Sequence, residues 1–206
     1  MIRLNNQKST KQNIQRDSKR VELPFGVAID DRELRAGWDF QSISAGSKYG
    51  NRYYGVNTTT CRLLTGDYSL VNHKGEIIDD FCIIERKSHA DICGSIVNSK
   101  DDPERRQRFA EEHERMQSVI QSGGFACVII EGSPDMIPTT NVNHRSILKT
   151  WLGWERNYGV RWIWAGDSVT AEFVAFEQLK QCWHFYCQKI ITSLAERADS
   201  RYDAQG

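Results

Sequence analysis

The segment Phe81-Cys82-Ile83-Ile84-Glu85-Arg86-Lys87 constrains the fold more than any other stretch of this chain: an apolar run passes directly into three charged residues. Such a run reads as a β-strand. Side chains alternate across a strand, so Glu85 and Lys87 share one face and Arg86 points to the other. Burying a carboxylate and an ammonium at the end of a hydrophobic strand is costly unless they pair or bind a metal. The plain alternative is an exposed Glu–Lys pair, worth about 0–1 kcal/mol. Taken alone, a Glu-x-Lys triplet is weak evidence, since it arises often by chance.

Other elements are readable around it. Val27-Ala28-Ile29 is a short apolar run that delivers Asp30 at its end. Residues 41–59, rich in Ser, Gly, Asn and Thr, read as a loop or a poorly ordered segment. Arg62 to Val71 reads as a strand interrupted by Gly66-Asp67, Asn72 to Gly75 as a turn, and Ile77 to Lys87 as the returning strand of a hairpin. Asp102-Pro103 starts a helix that Gly123-Gly124 stops. Phe125 to Glu131 is a buried strand, Ser146 to Tyr158 a helix, Val160 to Trp164 a short strand. Asp167 or Ser168 then caps a long helix reaching about Ala195. Strand, hairpin and alternating helices argue for an α/β fold, a mixed sheet with helices on its faces. The five Trp residues beyond the N-terminal region read as core packing rather than base-stacking surfaces.

Two further carboxylates stand where chemistry tends to sit. Asp67 follows a glycine that lets the backbone bulge or admits a close approach, and hairpin pairing would bring it near Glu85. A simple turn is the rival reading of Gly-Asp. Asp30-Asp31-Arg32-Glu33 directly follows the first apolar run, with a helix N-terminal turn as its rival. Three carboxylates, Asp30, Asp67 and Glu85, beside Lys87 make a hard oxygen site suited to Mg²⁺ or Mn²⁺.

In order, Asp30-x-Arg32-Glu33, Gly66-Asp67-Tyr68, Glu85-Arg86-Lys87-Ser88 and Asp91 resemble the nuclease domain of the XPF-type (xeroderma pigmentosum group F) structure-specific endonucleases. Gly94-Ser95, Arg108-Phe109, Met116 and Val128-Ile129-Ile130-Glu131 extend the likeness over roughly residues 25–165. The wider superfamily is the restriction-endonuclease-like, PD-(D/E)xK type. The resemblance implies that Asp67, Glu85 and the Arg86 backbone carbonyl hold a Mg²⁺ or Mn²⁺ ion, with Asp30 as a third acidic contributor. It implies that Lys87 orients or helps deprotonate the attacking water, that Arg32, Glu33, Arg86 and Asp91 support the site, and that Arg108 contacts DNA. Asp91 has a rival reading as the capping-box partner of Ser88, and Arg108 one as the ion-pair partner of Glu104 or Glu112 on its helix.

The resemblance also implies DNA as partner and pairing of nuclease domains into a homodimer. The last helix is the candidate interface. Its stripe of Phe176, Leu179, Trp183, Cys187, Ile190 and Leu194 is broad enough for a core and a partner, and core packing alone is the other reading. The chain departs from the family in three ways. The segment between Asp67 and Glu85 is longer, Glu112 stands where Gln is frequent, and nothing resembles a helix-hairpin-helix or helicase module. A stand-alone nuclease domain, as in some prokaryotic or phage relatives, is therefore expected.

At 206 residues, 39% hydrophobic and 26% charged, the chain suits one globular domain. The expected division is an arm over residues 1–20, the nuclease domain over 21–196 and a tail over 197–206. No apolar run is long enough to span a membrane, and no signal-peptide pattern opens the sequence. The expected compartment is cytoplasmic, in a prokaryotic or phage-infected cell, or nuclear in a eukaryote. Six cysteines without a CxxC pair read as buried thiols, and the scattered histidines give no zinc spacing. Zero net charge leaves nucleic-acid binding to a local surface. The expected function is metal-dependent endonucleolytic hydrolysis of DNA, with a branched or flap substrate in repair or recombination. Its rivals are a catalytically silent DNA- or partner-binding domain and a restriction-like or host-attack nuclease of a mobile element.

Overall fold

The computed structural model describes residues 20–33, 37–92, 103–136 and 144–203. The expected arm before Arg20, the Gly94-Ser95 motif and Asp102 lie outside these residues. The strands are β1 (Arg20–Asp30), β2 (Tyr53–Cys61), β3 (Tyr68–Val71), β4 (Cys82–Ser88), β5 (Phe125–Glu131) and β6 (Arg161–Trp164). The long helices are α1 (Pro103–Gln121), α2 (His144–Tyr158) and α3 (Ser168–Asp203). The six strands form one sheet in the order β2-β1-β3-β4-β5-β6. The β1–β2, β4–β5 and β5–β6 pairs are parallel, and β3 runs antiparallel to both of its neighbours.

Alternation along the strands builds two cores. Val27, Tyr68, Ile84, Cys127 and Ile129 project to the face covered by α3, which contributes Ala171, Ala175, Phe176, Leu179 and Trp183. Ile83, Ala126, Val128, Ile130 and Trp162 project to the other face, covered by Phe109 and Met116 of α1, with Trp151, Trp154 and Tyr158 of α2 packed on. The tryptophans of α2 and β6 thus pack in or against this core. α3 leaves the core after Cys187, and Ile190, Ile191 and Leu194 on its outer half are exposed. Among the described residues no helix is long and apolar enough to cross a membrane.

Local chemistry sets the element boundaries. Asp167 caps α3, its Oδ1 accepting the Thr170 N–H at 2.7 Å. The β1–β2 register breaks between Glu22 and Gly26, around Pro24, which has no N–H for a ladder. Three expectations are corrected. Residues 41–59 are not all loop: β2 occupies Tyr53–Cys61, its Gly and Asn masking a β-branched Thr run on the sheet edge. Arg62 to Asp67 is not strand; β3 begins only at Tyr68, because Gly66 takes a positive φ of 73°. β4 begins at Cys82 rather than Ile77, which makes only an isolated bridge to Val71.

Candidate active site

Ile29, Tyr68 and Ile84 are register partners at the centre of the sheet, and all three face the α3 side. Their chain neighbours Asp30, Asp67 and Glu85 therefore belong to the opposite face, where the C-terminal ends of β1 and β4 lie beside the start of β3. Backbone bonds lock the meeting point. Asp30 N–H donates to the Asp67 carbonyl at 2.8 Å, and Asp67 N–H donates to the Ile84 carbonyl at 2.9 Å. The Asp67 carboxylate in turn accepts the Arg86 N–H at 2.7 Å. Residues far apart in sequence are thus within one hydrogen bond of each other, and Gly66 makes the approach feasible. A Cβ on Gly66 would stand 2.5 Å from Ile83 Cγ2.

Each acidic group has its own surroundings. Asp30 is fully buried; its carboxylate accepts Arg32 Nε–H at 2.6 Å, Arg32 Nη2–H at 3.0 Å and the backbone N–H groups of Arg32 and Leu63, both at 2.9 Å. Burial alone would raise its pKa, but these donors outweigh burial and hold it below the usual carboxylate range. Asp67 goes the other way. Burial, then the negative charge of Glu85, push it up to about 9. Glu85 is 6% exposed and accepts from Lys87 Nζ. Burial would lower the Lys87 pKa, but Glu85 and Glu112 hold it above its ordinary value.

Arg86 lies on the back of this site. It pairs with Glu131 through two 2.9 Å bonds and with Glu33 at 3.1 Å, and its guanidinium stands 5.7 Å from the Trp38 ring centre. Trp38 Nε1–H and Ser168 Oγ–H also donate to Glu131, at 2.9 and 2.6 Å, and Trp38 N–H donates to Tyr68 Oη at 2.8 Å. This network ties the loop after β1 to β4, β5 and the start of α3. Asp91 N–H donates to Ser88 Oγ at 3.1 Å and Ser88 N–H donates to the Asp91 carboxylate at 3.3 Å, the capping-box geometry. Arg108 is exposed on α1.

The structure therefore brings Asp30, Asp67, Glu85 and Lys87 to one side of the sheet, and puts Arg86 and Glu33 behind it. Among the described residues no three Asp, Glu, His or Cys side chains stand together as a ready-made cation cage. The pair Asp67 and Glu85 nevertheless has the hard oxygen donors that Mg²⁺ and Mn²⁺ take. Burial and the neighbouring charge of Glu85, which drive Asp67 upward, are what a divalent cation would offset. The sequence reading overlooked Glu112, Glu131 and Trp38 as members of the site. Glu112 had a signal, because it falls on the apolar 109–113–116 stripe of α1 where a charge is unexpected. Glu131 closed an apolar strand as Glu85 does. Trp38 carried no comparable pattern.

Sheet order and layering define an α/β protein, a mixed six-stranded sheet flanked by helices, with the XPF nuclease-like fold. The chain belongs to the ERCC4 domain family, whose match covers residues 29–176. Among solved structures it is similar to XPF from Aeropyrum pernix, at 24% identity and TM-score 0.51, over 75% of this chain and 60% of that one. It is also similar to XPF from Aeropyrum pernix in complex with DNA, at 22% identity and TM-score 0.52, over 75% of this chain and 63% of that one. The chain thus spans about three fifths of the length of these relatives. No curated protein matches it.

Proposed function

We propose that this chain is an endonuclease that hydrolyses DNA phosphodiester bonds with the help of Mg²⁺ or Mn²⁺. The observation that carries the reading is the convergence of Asp67, Glu85 and Lys87, fixed by the 2.7 Å bond from Arg86 N–H to the Asp67 carboxylate. Membership of the ERCC4 domain family supports it, and a relative solved in complex with DNA supports DNA as the substrate.

Asp67 and Glu85 would hold the cation, with the Arg86 carbonyl as a further oxygen and Asp30 acting through its hold on Arg32. When bound, the ion lowers the pKa of water and neutralises charge at the phosphorus. Lys87 contributes a fixed positive charge where negative charge develops. The Arg86–Glu131–Trp38 network holds the β4 backbone from behind, which fixes the strand that carries Glu85 and Lys87. Products with 5′-phosphate and 3′-hydroxyl ends, and preference for flaps, forks or junctions, belong to the same proposal.

The test is cleavage of labelled duplex, single-stranded, flap and junction DNA in Mg²⁺ or Mn²⁺. Glu85→Ala is expected to lower the rate by at least about 100-fold while DNA binding holds within a few-fold. Cutting that survives this change removes the site, and equal rates on duplex and branched DNA remove the structure preference.

A further inference from the structure

α1 presents Phe109, His113 and Met116 to the second core, and Glu112 lies on that same face. Its side chain is 17% exposed. One oxygen, Oε2, stands 3.5 Å from Lys87 Nζ. The other, Oε1, is buried without a hydrogen-bond partner. Lys87 itself donates to Glu85 and sits 5.8 Å from the Phe109 ring centre. One ammonium is therefore shared between carboxylates from two different elements, β4 and α1.

Stability does not account for Glu112. An apolar residue at this stripe position would fill the same space without an unmatched oxygen, and replacing a buried charge by a well-packed hydrophobe is often neutral or stabilising. A role in holding Lys87 does account for it. Lys87 and Glu85 satisfy each other in the absence of a cation. Once Glu85 turns its charge elsewhere, a buried ammonium needs another oxygen acceptor within reach. Among the ion pairs of the described residues, Glu112 is the other partner Lys87 has.

We propose that Glu112 is a positioning residue for Lys87: it keeps the ammonium over the site when Glu85 is engaged by a cation, and so fixes where positive charge stands as a phosphate is attacked. The inference rests on the reading of the site as a cation-dependent nuclease. It goes beyond that reading by assigning a carboxylate from the helical layer to the lysine of the strand.

The test uses the full chain with Glu112→Gln, which keeps a neutral acceptor, and Glu112→Leu, which keeps only bulk. In ¹H–¹⁵N spectra of lysine ammonium groups, the Lys87 signal is expected to persist after Mg²⁺ addition in the unsubstituted chain and in Glu112→Gln. It is expected to vanish into solvent exchange in Glu112→Leu. Single-turnover cleavage is expected to fall about 100-fold in Glu112→Leu and less in Glu112→Gln, with DNA affinity unchanged. In a Lys87→Met background, Glu112→Leu is expected to cost nothing further, because the residue acts through Lys87. A Lys87 signal that persists in Glu112→Leu, or an equal loss of rate with and without Lys87, overturns the inference while leaving the nuclease reading intact. An unsubstituted chain that neither binds Mg²⁺ nor cuts DNA overturns both.

Discussion

Replacing Gly66 with Ala tests how the site is assembled. Gly66 sits at φ 73°, and a Cβ there would stand 2.5 Å from Ile83 Cγ2 and 3.1 Å from the Ile84 carbonyl oxygen. The left-handed conformation costs a non-glycine residue about 1–2 kcal/mol. Forcing a methyl into a close-packed region of this kind adds about 1–3 kcal/mol. The expected loss for Gly66→Ala is therefore about 2–5 kcal/mol. Gly75→Ala is the internal control: φ is 81° and nothing lies within 4 Å of its Cβ, so only the first cost applies. Urea unfolding followed by tryptophan fluorescence reads both variants, and their difference isolates the clash with β4. Relief of that clash pushes Asp67 off the Arg86 N–H, so cleavage by the folded fraction of Gly66→Ala is expected to fall about 100-fold as well. Equal destabilisation in the two variants, or full activity in Gly66→Ala, would refute the claim that β3 needs a glycine to bring Asp67 against β4.

Two predictions concern pH. Asp67 has a folded pKa pushed from 3.8 up to about 9, so its contribution to stability is fully present below about pH 4 and is lost as pH rises through 9. Without divalent cations, Asp67→Asn is expected to melt higher than the unsubstituted chain at pH 9; identical melting in chelator at that pH would contradict this. His113 behaves oppositely. Its Nδ1–H donates to the Phe109 carbonyl at 2.9 Å and its Nε2 accepts Trp162 Nε1–H at 3.1 Å, and burial lowers its pKa from 6.5 to about 4. Stability from the neutral ring is present above pH 6.5 and is lost as pH falls toward 4, so His113→Phe is expected to flatten thermal stability across that window; an unchanged acid limb would count against it.

Long apolar runs and helix punctuation were readable from sequence because their physics is local. Phe125–Glu131 emerged with its observed bounds, α1 ended where Gly123-Gly124 placed its stop, and Asp167 capped α3. β2 was hidden because Gly55 and Asn57 mask the strand signal of its Thr run, and only its pairing with β1 settles it as a strand. The site divides in the same way. Glu85, Arg86 and Lys87 follow from two-residue alternation, and the face each takes is the face observed. The nearness of Asp67 to Glu85 depended on a hairpin reading that holds, although β3 and β4 share a single register pair, Tyr68 with Ile84. Glu112 and Glu131 carry local signals of an unexpected charge, but that they and Trp38 meet at the site is decided by tertiary packing across elements.

The backbone bonds from Asp30 to Asp67 and from Asp67 to Ile84 bear on when the site can first form during synthesis. A nascent chain that has cleared the ribosome only as far as β3 holds Asp30 and Asp67, but the strand that carries Glu85 and Lys87 has yet to emerge. Synthesis must also deliver β5 before β4 can be enclosed on both edges. Assembly of Asp30, Asp67, Glu85 and Lys87 in one place therefore waits for β4 and β5 and cannot be completed by the earlier strands alone.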